Sequence, residues 1–94
     1  MDKLELFNAL ISVVTPINSN GAHAESLDEN LGDTGLDSLD MLMMAIYLSD
    51  LYGVSEEDLK KMQPVIVLDM FTFMEEHKTK ELPLTIKAAI ALVQ

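Results

Sequence analysis

With 94 residues, 49% of them apolar, the chain can build one modest core and no more, so it is a single domain. Sixteen Asp and Glu against six Lys and no Arg give a formal net charge of −10, a field that repels nucleic acid and anionic lipid headgroups and attracts basic patches on other proteins. The absence of Cys excludes a disulfide framework and a thiolate metal site, and no apolar stretch is long enough to span a bilayer.

Residues 2–15 read as a helix, with Leu4, Phe7, Leu10, Ile11 and Val14 at helical spacing and Glu5, Asn8, Ser12 and Thr15 on the other side. Asp2 with Glu5 three places on resembles a capping box, and Pro16 is the expected stop. No basic segment followed by an apolar run and a small-residue site opens the chain, so no secretory signal is expected and the default is a cytoplasmic protein.

Residues 16–36 read as a long loop, with Asn18, Ser19, Asn20 and Gly21 as turn formers and Gly32 and Gly35 beyond. A loop of this length in a small domain is either functional or hides a short helical turn. Asp28, Asn30, Gly32 and Asp33 begin like a calcium loop. Gly32 and Asp33 stand where Asp or Asn and then Gly belong, however, and Leu39 replaces the final Glu, so that site fails.

The strongest helical pattern runs from Ser38 to Tyr52, with Gly53 as its stop. Asp37 with Asp40 three places on forms the better cap, which leaves the Ser38 hydroxyl at the first helical position and pointing outward; the other reading makes Ser38 itself the cap. Two apolar stripes follow, Met41, Met44, Ala45, Leu48 and Tyr52 on one side and Leu39, Leu42 and Ile46 on the other. A single core needs one of them, and periodicity does not say which.

Residues 56–62 predict a short helix capped by Ser55, with Glu56, Glu57 and Asp58 at its positive end and Lys60 and Lys61 at its negative end. Pro64 suits the first position of a fourth helix running to about Lys78. The run Val65 to Leu68 suits a buried strand equally well, but its continuation through Phe73 and Met74 favours the helix. Leu82 to Val93 reads as a fifth helix, apolar nearly all round, which packs on the domain, forms a dimer contact or covers a pocket. Seven Met in so short a chain either fill gaps or give an adaptable interior.

No catalytic constellation accompanies these elements. Ser38 lacks the Gly-x-Ser-x-Gly elbow. His23 lies in the loop, and His77 near a helix end suits the helix dipole better than catalysis. What remains is Gly35-Leu36-Asp37-Ser38-Leu39-Asp40 at the mouth of an apolar helix, preceded by a helix and long loop and followed by a short capped helix and another. Over residues 2 to about 78 this order, with its G-x-D-S-L segment, resembles the acyl carrier proteins. Asp before the Ser is more similar to acyl carriers than to peptidyl carriers.

The resemblance implies an all-α fold, an antiparallel four-helix bundle over residues 1–78 with an appended apolar helix in 79–94. It implies a carrier that is not itself an enzyme, with 4′-phosphopantetheine from coenzyme A attached to Ser38 and acyl groups held on it as thioesters for a fatty-acid, lipid or polyketide pathway. Met41, Met44, Ala45, Leu48 and Met70 then line the core and acyl pocket. Asp37, Leu39, Asp40, Leu42, Met43, Ile46 and Asp50 meet the partners: a phosphopantetheinyl transferase and acyl-transferring, condensing or acyl-activating enzymes. Where many relatives carry Glu five, eleven and thirteen residues after the Ser, this chain has Met43, Ser49 and Leu51, and Thr34 replaces a usual Leu. These departures point to a specialised carrier. The rival readings are an amino-acid or hydroxy-acid carrier of the same fold and a small acidic interaction protein in which Ser38 is structural.

Overall fold

The computed structural model describes residues 1–15 and 21–94, and their regular structure is helical apart from one isolated backbone bridge. Helix α1 spans Lys3–Val14 and starts as predicted, the Asp2 carboxylate accepting the Glu5 N–H at 3.1 Å. It buries Leu6, Phe7, Leu10 and Ile11, with Leu4 and Val14 packed at the margin. The predicted stop at Pro16 and the turn formers Asn18, Ser19 and Asn20 lie outside the described residues. Asn8, assigned by its spacing to the polar side, has a different use. Its amide donates to the Ala24 carbonyl at 3.0 Å and accepts the Ala24 N–H at 2.8 Å, so it ties the following loop to α1.

The loop does hide a helical turn, a single 3₁₀ turn at Leu31–Asp33 capped by the Asn30 side chain, which accepts the Gly32 N–H at 2.9 Å. Helix α2 spans Ser38–Tyr52 and closes at Gly53, whose φ of 68° is the left-handed geometry that the predicted stop requires. Helix α3 covers only Glu56–Leu59, capped by Ser55. The predicted extension to residue 62 is instead a turn, Lys61 N–H reaching the Asp58 carbonyl and Met62 N–H the Leu59 carbonyl. Such contacts tighten a chain that is leaving a helix.

Helix α4 spans Val67–His77, so Pro64 is not its first residue. The reason is tertiary. Leu31 donates its N–H to the Val65 carbonyl, Val67 donates to Glu29 and Leu68 to Leu27, and Asn30 and Ile66 form an antiparallel bridge. The apolar run at 65–66 therefore stays extended because the loop gives it a partner, and one Asp69 carboxylate oxygen gathers the Val65 and Ile66 N–H groups at 2.8 and 3.0 Å. Helix α5 spans Ile86–Val93, starting four residues later than predicted behind the Thr85 cap. It is buried on one face only. Ala89 is fully covered, whereas Leu92 stands 65% exposed and Leu84, just before the helix, 93% exposed.

α1 packs on α2 and α5, and α2 also meets α3, α4 and α5. Phe7 of α1 and Phe71 of α4 meet at 6.3 Å between ring centres, inside a core that includes Met44, Leu48, Tyr52, Met70 and Met74. A radius of gyration of 12.1 Å is close to the roughly 13 Å of a packed chain of about this length, as expected with α5 folded back. No helix among the described residues is long and apolar enough to cross a membrane.

Candidate functional site

Ser38 is the first residue of α2, and the side chain that caps the helix is that of Asp37, which accepts the Asp40 N–H at 2.8 Å. Ser38 itself is exposed. Of the two ways of capping this helix, the chain therefore uses the one that leaves the serine hydroxyl uncommitted. The approach to α2 is held rigidly. Buried Thr34 donates its hydroxyl to the Leu31 carbonyl at 2.7 Å and accepts the Leu36 N–H at 3.4 Å, and Leu36 is buried. Gly35, at φ 90°, brings its backbone against Ala22, and a Cβ there would sit 3.2 Å from the Ala22 Cα. Thr34, a departure from the resembled pattern, thus acts as an internal clasp where a Leu would supply only bulk.

Beside Ser38 lies a cleft of about 640 Å³ between the 3₁₀ turn, α2 and the segment 59–65, with buried Met70 at its base. Met41 and Ala45 line it along with Ser38 and Leu42. Met44 and Leu48, assigned to the same pocket by resemblance, are fully buried in the core and do not line this cleft. The two stripes of α2 are resolved. The Met44, Ala45, Leu48 and Tyr52 side is buried with Met41 at its edge, while Leu39 and Leu42 are 65% and 53% exposed and Ile46 is half-buried.

Around the outer stripe Asp37 and Asp50 are exposed, and Asp40 and Met43 are half-buried. Ser49 and Leu51, two of the three positions where a Glu was absent, are buried, Ser49 returning its hydroxyl to the Ile46 carbonyl at 2.7 Å. They belong to the interior, so of these three departures only Met43 alters the outer face.

Leu31, Leu59, Lys60, Met62, Pro64 and Val65 line the cleft without having been singled out by the sequence. They come from the loop, the end of α3 and the segment that follows it, where no periodicity marks a common face. Their shared orientation depends on the pairing of residues 27–31 with 65–68.

His77 donates from its ring to the Phe73 carbonyl at 2.9 Å and stacks on the Phe73 ring at 4.2 Å, at the end of α4 and away from Ser38 in sequence and cleft alike. Among the described residues no group of three or more His, Cys, Asp or Glu is placed to hold a metal ion. No family model, no curated protein and no solved structure matches this chain.

Proposed function

We propose that the chain is an acyl carrier protein of the antiparallel four-helix kind, residues 1–78, with α5 as an appended element, and that Ser38 bears 4′-phosphopantetheine taken from coenzyme A. The observation that carries this reading is an exposed serine at the start of a fifteen-residue helix, uncommitted to capping and opening onto a largely apolar cleft.

These residues fit such a group. A phosphodiester on the Ser38 oxygen would lie at the positive end of the α2 dipole, near the first N–H groups of the helix. Asp37 keeps the helix end in place by taking the Asp40 N–H. Thr34 and Gly35 fix the direction of approach. The cleft offers Met41, Leu42, Ala45 and Met70 to an apolar chain, and Met side chains adapt to occupants of different length. When bound, the group supplies the thiol that a Cys-free chain lacks, and that thiol holds acyl groups as thioesters.

Attachment would form one P–O bond to the Ser38 oxygen and break the pyrophosphate bond of coenzyme A, adenosine 3′,5′-bisphosphate leaving and the serine proton passing to the transferase. The chain does no further chemistry of its own in this reading. Its outer stripe, Leu39, Leu42, Met43 and Ile46 with Asp37, Asp40 and Asp50, is the docking face for the transferase and for acyl-transferring, condensing or acyl-activating enzymes, in the cytoplasm. Exposed apolar side chains rimmed by acids suit partners with a basic rim around an apolar patch.

The decisive experiment is intact mass after incubation with coenzyme A and a broad phosphopantetheinyl transferase. One phosphopantetheine is expected on the wild type and none on Ser38→Ala. A folded wild-type chain that gains no mass would sink the reading and leave the small acidic interaction protein in its place.

A further inference from the structure

The cleft beside Ser38 has an unusual charge for this molecule. The chain holds sixteen acidic side chains and six lysines, yet no acid lines the cleft and one lysine, Lys60, does. The smaller pocket on the far side of Met62 and Pro64 shows the contrast, since Asp69 and Glu76 both line it. Lys60 is also uncommitted. Its neighbour Lys61 pairs with Asp58 at 3.8 Å, and Lys78 pairs with Glu75 and Glu81 at 3.0 Å, whereas Lys60 makes no ion pair among the described residues.

Its methylenes can lie along the apolar wall while the ammonium stays at the mouth, an arrangement that long cationic side chains favour. Next to an apolar wall an opposite charge is screened less than in open water. Every other residue that lines the cleft is neutral.

We propose that this cleft takes an apolar chain that ends in an anionic group, with Lys60 as the counter-ion. Two sources of such an anion exist if the carrier reading holds, on which this consequence rests: the phosphate of the tether on Ser38, or a carboxylate on the acyl cargo itself. The binding property is a feature of the unmodified chain and can be tested without any attachment to Ser38, so its failure is separate from a failure of the mass experiment.

The test titrates unmodified protein with decanoate, decanol and inorganic phosphate at pH 7, following the amide resonances of Leu31, Met41 and Val65. Because Lys60 is exposed, the expected advantage is modest, decanoate binding about two- to fivefold more tightly than decanol. That advantage disappears in Lys60→Gln and in high salt, and persists in Lys61→Gln, whose thermal melt serves with that of Lys60→Gln as a check on folding.

Competition between phosphate and decanoate assigns the tether as the anion's source. Decanoate binding that phosphate leaves untouched assigns the cargo carboxylate. Equal affinities for decanoate and decanol, no binding of either anion, or the same loss in both lysine variants overturns the proposal.

Discussion

At the scale of single residues, the junction between α2 and the segment that leads to α5 is unusually dense. The Tyr52 carbonyl accepts the N–H groups of Thr79 and Lys80 at 2.9 and 3.2 Å, and the Thr79 hydroxyl donates to the Gly53 carbonyl at 2.5 Å. Gly53 is left-handed at φ 68°, and a Cβ there would run into the Thr79 hydroxyl oxygen. Gly53→Ala is expected to cost about 1–3 kcal/mol, backbone strain plus the displaced contact, as a lowered denaturant midpoint with an unchanged slope. Equal stability would mean that Thr79 moves aside freely.

The Tyr52 hydroxyl donates to Glu75 at 3.1 Å, and burial first, then that bond, pushes its pKa well above the ordinary phenol range. A raised folded pKa means that this group's stabilisation is complete below the unfolded value near pH 10 and is lost as the pH climbs beyond it. Tyr52→Phe is therefore expected to cost about 0.5–1.5 kcal/mol at neutral pH and to converge on the wild type above pH 10 in parallel denaturation series. A constant gap across that range would remove Tyr52 from the alkaline transition.

Whole elements show which information the sequence carries and which it does not. α2 was legible from Ser38 to Tyr52 because its signals are local: a cap, an apolar period and a glycine stop. The exposed serine followed from the same logic, since Asp37 was the better cap. α4 was not legible at its start, because Pro64 suits a helix and nothing local shows that residues 27–31 will pair with 65–68. The walls of the cleft outside α2 were hidden for the same reason.

Asp69 carries the start of α4, and its two backbone hydrogen bonds hold its carboxyl below the usual aspartate value of 3.8. A lowered folded pKa gives stability that is present above that value and lost as the pH falls below it. Asp69→Ala is expected to lower stability at pH 7 and to flatten the fall in stability as the pH drops below about 4 in acid titrations. An unaltered acid limb would show that other carboxylates dominate it.

α5 is the element with the most ambiguous sequence, since an all-apolar period does not say which face is covered. Ala89 is the fully buried residue of a helix that packs on α1 and α2. Ala89→Leu should overpack that contact by about 1–3 kcal/mol, whereas Leu92→Ala, at an exposed position, should change stability by less than about 0.5 kcal/mol. Comparable effects at the two sites would contradict the one-sided burial of the helix.

For the whole molecule the controlling quantity is charge against size. The principal extents are 34 × 27 × 21 Å, and the Debye length is about 30 Å at 0.01 M salt and about 3 Å at 1 M. At low salt, then, every acid feels every other across the full width of the fold, and a net charge of −10 works against the compact state. Among the described residues the opposing attractive pairs are few and mostly solvent-exposed: Lys61 with Asp58, and Lys78 with Glu75 and Glu81. Exposed pairs of that kind contribute at most about 1 kcal/mol each, and salt weakens them together with the repulsion.

Repulsion among sixteen acids outweighs three such pairs, so added salt should stabilise the fold. The Tm is expected to rise by several degrees between about 0.01 and 0.5 M NaCl, with most of the gain where the Debye length first drops below the molecular width. The same salt should weaken decanoate at Lys60 while leaving decanol unchanged, because one effect relieves like charges and the other screens an opposite pair. A Tm that falls with salt would mean that the three ion pairs outweigh the acidic field, and the electrostatic picture of both the fold and the cleft would then have to be reversed.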